Sequence, residues 1–173
     1  MKNSNPVGRE LARELLATLI NEKNLFAKVA KIEEEKNLAI VTRDGKSLEN
    51  LTSLEEKILG QLQRNEKKRE HVLGELASAV NQQMPDKLSA VLDWPGIDDE
   101  VLTSLEKEAE ELVDVIFKMQ TLSRVNQSMI EDNQRLFKAV ISSLNAEPEV
   151  GYGIEEGQKK QAAKKPLFVD ANC

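Results

Sequence analysis

Residues 101–145 read VLTSLEKEAEELVDVIFKMQTLSRVNQSMIEDNQRLFKAVISSLN. Leu102, Ala109, Ile116, Ser123, Ile130, Phe137 and Leu144 recur at every seventh position, and Leu105, Leu112, Met119, Asn126, Asn133 and Val140 form a second series three residues later. Alternating steps of three and four put both series on one face of an α-helix, the seam of a coiled coil or a slender helical bundle. Val101, Val115, Leu122, Met129 and Leu136 widen that face, so it is broad enough to meet more than one partner helix. Toward its C-terminal half the seam turns polar at Ser123, Asn126 and Asn133. A buried Asn in such a seam fixes register at some cost in stability.

Working outward, the other segments repeat the helical pattern. Ser4, Asn5 and Pro6 supply a capping side chain and a first-turn proline. From about Val7 to Val41, Leu11, Leu15, Thr18, Leu25, Val29, Ile32 and Ala39 keep one face, with Leu19, Phe26 and Ile40 beside it; Glu22 and Lys36 interrupt the seam. Arg43-Asp44-Gly45-Lys46 is a turn signal, with Gly45 as the residue free to take positive φ. A connection this short sends the next helix back antiparallel, from about Ser47 to Val80. That helix has apolar faces at both ends and a polar run, residues 63–70, between them. Charge runs on long helices ordinarily face water. Closing the hairpin at Gly45 brings the run level with the polar stretch Asn21-Glu22-Lys23-Asn24 of the first helix. Asn81 to Pro85 breaks the second helix, residues 86–92 suit a short one, and Trp94 is suited to cap the bundle end. The expected fold is all-α: an elongated antiparallel bundle of three long helices and one short helix. The expected organisation is a helical domain over residues 1–145 and an extended tail over residues 146–173, where Pro148, Gly151, Gly153, Gly157, Pro166 and four lysines give no core of their own.

Composition narrows the function. Of the 173 residues 31% are charged and only 3% aromatic, which suits long helices better than a thick globular core. The single Cys, Cys173, excludes an internal disulfide and points to a reducing compartment. No run of about 18 apolar residues is present to span a membrane, and the opening MKNSNPVGRELARELL lacks the apolar core of a signal peptide. These features predict a soluble, cytoplasmic protein, and the net charge of −6 argues weakly against a nucleic-acid partner. Catalysis finds no home: the sole histidine, His71, has Lys67, Lys68 and Glu75 as its helical neighbours, so neither a metal site nor a nucleophilic triad can be assembled. The glycines of the helical part are isolated, and Asp98, Asp99 and Glu100 suit a helix N-terminus without an ion. No enzyme activity, metal or cofactor is expected.

Several segments together resemble the FlgN-like flagellar export chaperones, and the resemblance covers nearly the whole chain. They are residues 54–62, LEEKILGQL, followed by Glu66 and Arg69; a proline-broken loop; a long third helix with Val125-Asn126-Gln127 and residues 133–137, NQRLF; and Gly151-Tyr152-Gly153 with Gly157 beyond. Two features depart from the family pattern: Phe137 stands where a smaller aliphatic residue is frequent, and lysines follow Gly157. The resemblance implies a non-enzymatic protein that holds the hook-associated proteins FlgK and FlgL before export and delivers them to the export gate. It also implies that Tyr152, after the third helix, contacts the gate protein FlhA. An amphipathic client helix needs an apolar groove, and Leu136, Phe137, Val140, Ile141 and Leu144 are the candidate client-binding stripe. Two arrangements stay open for the stripe: it extends beyond the hairpin as a free groove, or it packs on Leu11, Leu15 and Leu19 of the first helix. The alternative function is a coiled-coil adaptor that forms a homodimer through the same seam.

Overall fold

The computed structural model describes residues 6–145. They form α1 (Pro6–Thr42), α2 (Gly45–Ala79), a short 3₁₀ segment (Leu88–Asp93) and α3 (Asp99–Asn145), with no strand among them. The all-α bundle is therefore as expected, and the helix limits fall within two residues of those read from periodicity. The short segment differs: residues 88–93 wind as 3₁₀ rather than α. Two turns of tight helix suffice there to insert Val91 and Trp94 into the bundle end, where both are buried.

The turn between α1 and α2 carries its geometry on a different residue from the one expected. Arg43, not Gly45, takes the left-handed conformation (φ 57°). The Arg43 N–H donates to the Ile40 carbonyl and the Asp44 N–H to the Ala39 carbonyl, at 3.2 and 2.8 Å, which closes α1 in a Schellman motif. Gly45 is the first residue of α2, and Asp44 caps it by accepting from the Ser47 N–H (3.0 Å) and the Ser47 hydroxyl (2.6 Å). Those two bonds hold the Asp44 carboxyl below its ordinary range. Asn81 (φ 55°) ends α2 the same way, with Gln82 N–H on the Ala77 carbonyl.

The central helix is α1. It lies against both α2 and α3, whereas the backbones of α2 and α3 do not approach each other. Its sequence explains this once heptads are counted over the whole helix. Leu11, Thr18, Leu25, Ile32 and Ala39 form one series, Leu15, Glu22, Val29 and Lys36 a second, and Leu19, Phe26, Glu33 and Ile40 a third, and none of these thirteen residues is exposed. Three adjacent stripes make a face wide enough for two neighbours. The core is densest at one end, where Leu15, Leu19, Val72, Leu76, Trp94 and Leu105 cluster.

Ion pairs fix the direction of α3. Arg9 meets Asp98 at 2.7 Å and Lys23 meets Glu108 at 2.6 Å, while farther along Lys118 meets Glu34 at 2.8 Å. Helix α3 therefore starts beside the start of α1 and runs parallel to it, with α2 antiparallel to both. Helix α3 has 47 residues against 37 for α1, so it outlasts the hairpin.

Candidate functional site

Two buried polar layers set the register of the three helices. In the first, Asn65 of α2 is buried; its Nδ2 donates to the Thr18 carbonyl (3.0 Å) and its Oδ1 accepts from Asn21 (2.7 Å). Arg69 reaches Glu22 at 2.9 Å in the same layer. The polar run of α2 thus meets the polar stretch of α1 at the expected height. It is not solvated all round, because Asn65 and Arg69 face the partner helix. Burial raises the Glu22 carboxyl and the Arg69 guanidinium pulls it back only in part.

The second layer joins all three helices. Glu33 is 1% exposed. The Asn126 amide donates to the Glu33 carboxylate (2.6 Å) and to its backbone carbonyl (2.8 Å), and accepts from Asn37 (2.9 Å). Lys36 bridges the Glu33 and Glu55 carboxylates at 3.0 and 2.8 Å. Burial acts to raise the Glu33 carboxyl, but the Asn126 and Lys36 hydrogen bonds outweigh it and hold the group below its usual range. The polar seam residue Asn126 therefore marks the level at which α3 is clamped to α1.

Beyond this clamp α3 loses its partners. Its second heptad series is buried at Leu105 (3%), Leu112 (8%) and Asn126 (3%), yet Val140 in the same series is 53% exposed. Every residue from 131 to 144 is exposed. Leu136, Phe137, Ile141 and Leu144 stand at 64%, 66%, 41% and 72%. At a rise of 1.5 Å per residue, this exposed stretch is about 20 Å long.

Of the two arrangements open for the stripe, contact with Leu11, Leu15 and Leu19 is excluded within the monomer. Those residues lie at the opposite end of the bundle, in the cluster with Trp94 and Leu105, because α3 runs parallel to α1. Where the overhang leaves the hairpin, a cleft of about 600 Å³ opens between Ala39, Ile40, Arg43 and Leu48 on one side and Ile130, Phe137 and Val140 on the other. Leu136, Phe137 and Val140 line it, whereas Ile141 and Leu144 continue the stripe beyond it. The cleft wall from the α1–α2 turn is missing from a reading of α3 alone; its apolar members are Ala39 and Ile40 of α1 and Leu48 of α2. Tyr152 lies outside the described residues, as does the whole of 146–173.

No assembly for catalysis is visible among the described residues. His71 is exposed, 3.5 Å from Glu75. No three His, Cys, Asp or Glu residues are placed to share a metal ion there, and no helix there is long and apolar enough to cross a membrane. Asp98 is engaged by Arg9. What the arrangement offers is an apolar helix face held rigidly at one end and open at the other.

Comparison with known proteins places the chain in a family. The model of the family described as FlgN protein matches residues 9–160. No curated protein and no solved structure matches the chain.

Proposed function

Because the chain belongs to the FlgN family of flagellar export chaperones, we propose that it is a non-enzymatic cytoplasmic chaperone of the hook-associated proteins FlgK and FlgL. It keeps them from assembling early and delivers them to the export gate. The observation that carries this reading is the α3 overhang: five large apolar side chains, Leu136, Phe137, Val140, Ile141 and Leu144, are exposed where the apolar face of α3 is buried or half-buried farther back along the hairpin. A helix-in-groove client supplies the missing partner surface, with anchors spaced to match the seam. Burying such a stripe is worth about 25 cal/mol per Å² of apolar area removed from water, less the cost of ordering the client. In this reading residues 1–145 form the client-holding domain and residues 146–173 a tail that carries Tyr152 to the gate protein FlhA.

Titration calorimetry with purified FlgK and FlgL tests the first part. Binding of either client, with suppression of its self-assembly, supports the chaperone. No binding, together with a homodimer that persists on dilution, supports the coiled-coil adaptor instead.

The tail has its own test. Tyr152→Ala is expected to leave the melting temperature and client affinity at wild-type values while lowering FlhA binding and client secretion. Tyr152 has a glycine on each side in the sequence, Gly151 and Gly153, and a tyrosine offers a partner a large apolar face with one hydroxyl. Undiminished FlhA binding by the variant, or a loss of stability, overturns the assignment.

A further inference from the structure

The cleft at the base of the overhang has a candidate occupant within the same chain. Residues 163–170 read AKKPLFVD, so Lys164 and Lys165 precede the apolar triplet Leu167-Phe168-Val169 and Asp170 follows it. The surface of α2 offers the complementary order. A shallow groove lined by Glu49 and Glu56 leads to Leu48, Leu48 is also a wall of the apolar cleft, and Arg43 lines the cleft beyond it. Along the body the order is negative, apolar, then positive at Arg43, with Asp44 and Lys138 also lining the cleft, and the tail sequence has the complementary order positive, apolar, negative. We propose that Leu167-Phe168-Val169 seats in this cleft when no client is bound, with Lys164 and Lys165 toward Glu49 and Glu56 and Asp170 toward Arg43.

Reach supports the pairing. Asn145 ends α3, and Ile130, at the inner end of the cleft, lies about 22 Å back along the helix at 1.5 Å per residue. From Asn145 to Leu167 the chain runs 22 residues (167 − 145), for which a flexible chain has a root-mean-square span of about 26 Å. A span near the required distance gives an effective local concentration in the millimolar range. A weak three-residue contact is populated at that concentration, yet a client helix with a longer apolar face displaces it. The contact would shield the base of the stripe and leave Ile141 and Leu144 open for first encounter.

This proposal shares the cleft with the function proposed above, and its test contains no client, so either can fail alone. Cys173 is the sole cysteine and lies four residues past Val169, which suits it to carry a nitroxide on the full-length chain. Spectra of the isotopically labelled protein are expected to show paramagnetic broadening of amides at residues 39–48 and 130–140. Amides at residues 72–77, at the far end of the bundle, should stay sharp. Phe168→Asp should restore the cleft signals to their diamagnetic intensity. Broadening confined to the last turn of α3, or unchanged by Phe168→Asp, overturns the proposal. So does broadening that appears between chains, when spin-labelled unlabelled-isotope protein is mixed with untagged labelled protein, because the occupant would then be a second copy.

Discussion

Val140→Asp lowers affinity for a FlgK- or FlgL-type client by about 100-fold or more, and the variant stays folded. Both halves follow from its position. In the free protein Val140 is 53% exposed and touches solvent on the overhang, so replacing it removes little core; surface changes of this kind ordinarily fall within about 0.5 kcal/mol. Val and Asp also have similar helix propensities. On the proposed function the same position lies under the client in the complex, and an unpaired carboxylate buried against apolar surface costs several kcal/mol. About 2.8 kcal/mol is already 100-fold in the dissociation constant. Leu144→Asp is expected to bind as poorly but to fray α3 slightly, because a negative charge in the last turn opposes the helix dipole. Circular dichroism and calorimetry on the same sample separate the outcomes. A folded variant with normal client affinity moves the docking site elsewhere. A variant that unfolds makes residue 140 part of the core.

The second large effect is on stability. Asn126→Ala is expected to destabilise the protein by about 2–3 kcal/mol, the cost of leaving a buried charged group short of a hydrogen bond. Asn126 is the α3 residue that hydrogen-bonds Glu33, and Glu33 is buried. Asn133→Ala is the internal control. It alters the same heptad series one step farther on, at an exposed position, and should cost within about 0.5 kcal/mol. Urea titration with an unchanged slope reads the difference; equal effects of the two substitutions would remove the clamp from the account.

The same layer predicts how stability depends on acid. The folded pKa of Glu33 is depressed, so its contribution is fully present above the unfolded value, near 4.3 for a free Glu (approximately). It is lost as pH falls through the lower folded value. Glu22 has the opposite sign. Its folded pKa is raised, so its charged form is penalised above that pKa, and protonation on the way down relieves the penalty first. Acidification should therefore affect Glu22 before Glu33, and Asn126→Ala should lose the Glu33 contribution at a higher pH than the wild type.

Much of this fold was legible because helix periodicity is local. The seam of residues 101–145, the α1–α2 turn at residues 43–46 and the level of the polar stretches all follow from spacing along one or two helices. The primacy of α1 was harder to read. Its third heptad series, Leu19, Phe26, Glu33 and Ile40, is interrupted by a carboxylate, and a lone Glu among apolar residues looks like a flaw until Asn126 and Lys36 are placed around it. The destination of the α3 stripe depended on the direction of α3 relative to α1. The 3₁₀ segment and the Arg9–Asp98 pair settle that direction, and neither has a periodic signature. The cleft needed both ends of the problem, since one wall comes from residues 39–48 and the other from residues 130–140. Arg43 took the left-handed turn position in place of Gly45 because Asp44 and Ser47 together favour starting α2 at residue 45.

The central claim is that the client lies on the overhang of α3. Amide hydrogen exchange of the full-length protein, with and without saturating FlgK or FlgL, tests it most directly. The account predicts fast exchange across residues 141–144 in the free chain and little protection over residues 131–140, where no other helix packs and only the weak contact proposed above shields the base of the stripe. It predicts strong protection of the same amides in the complex, with the core around Leu15 and Leu76 unchanged. Protection that appears elsewhere on the bundle, while residues 131–144 exchange as fast as before, would contradict it.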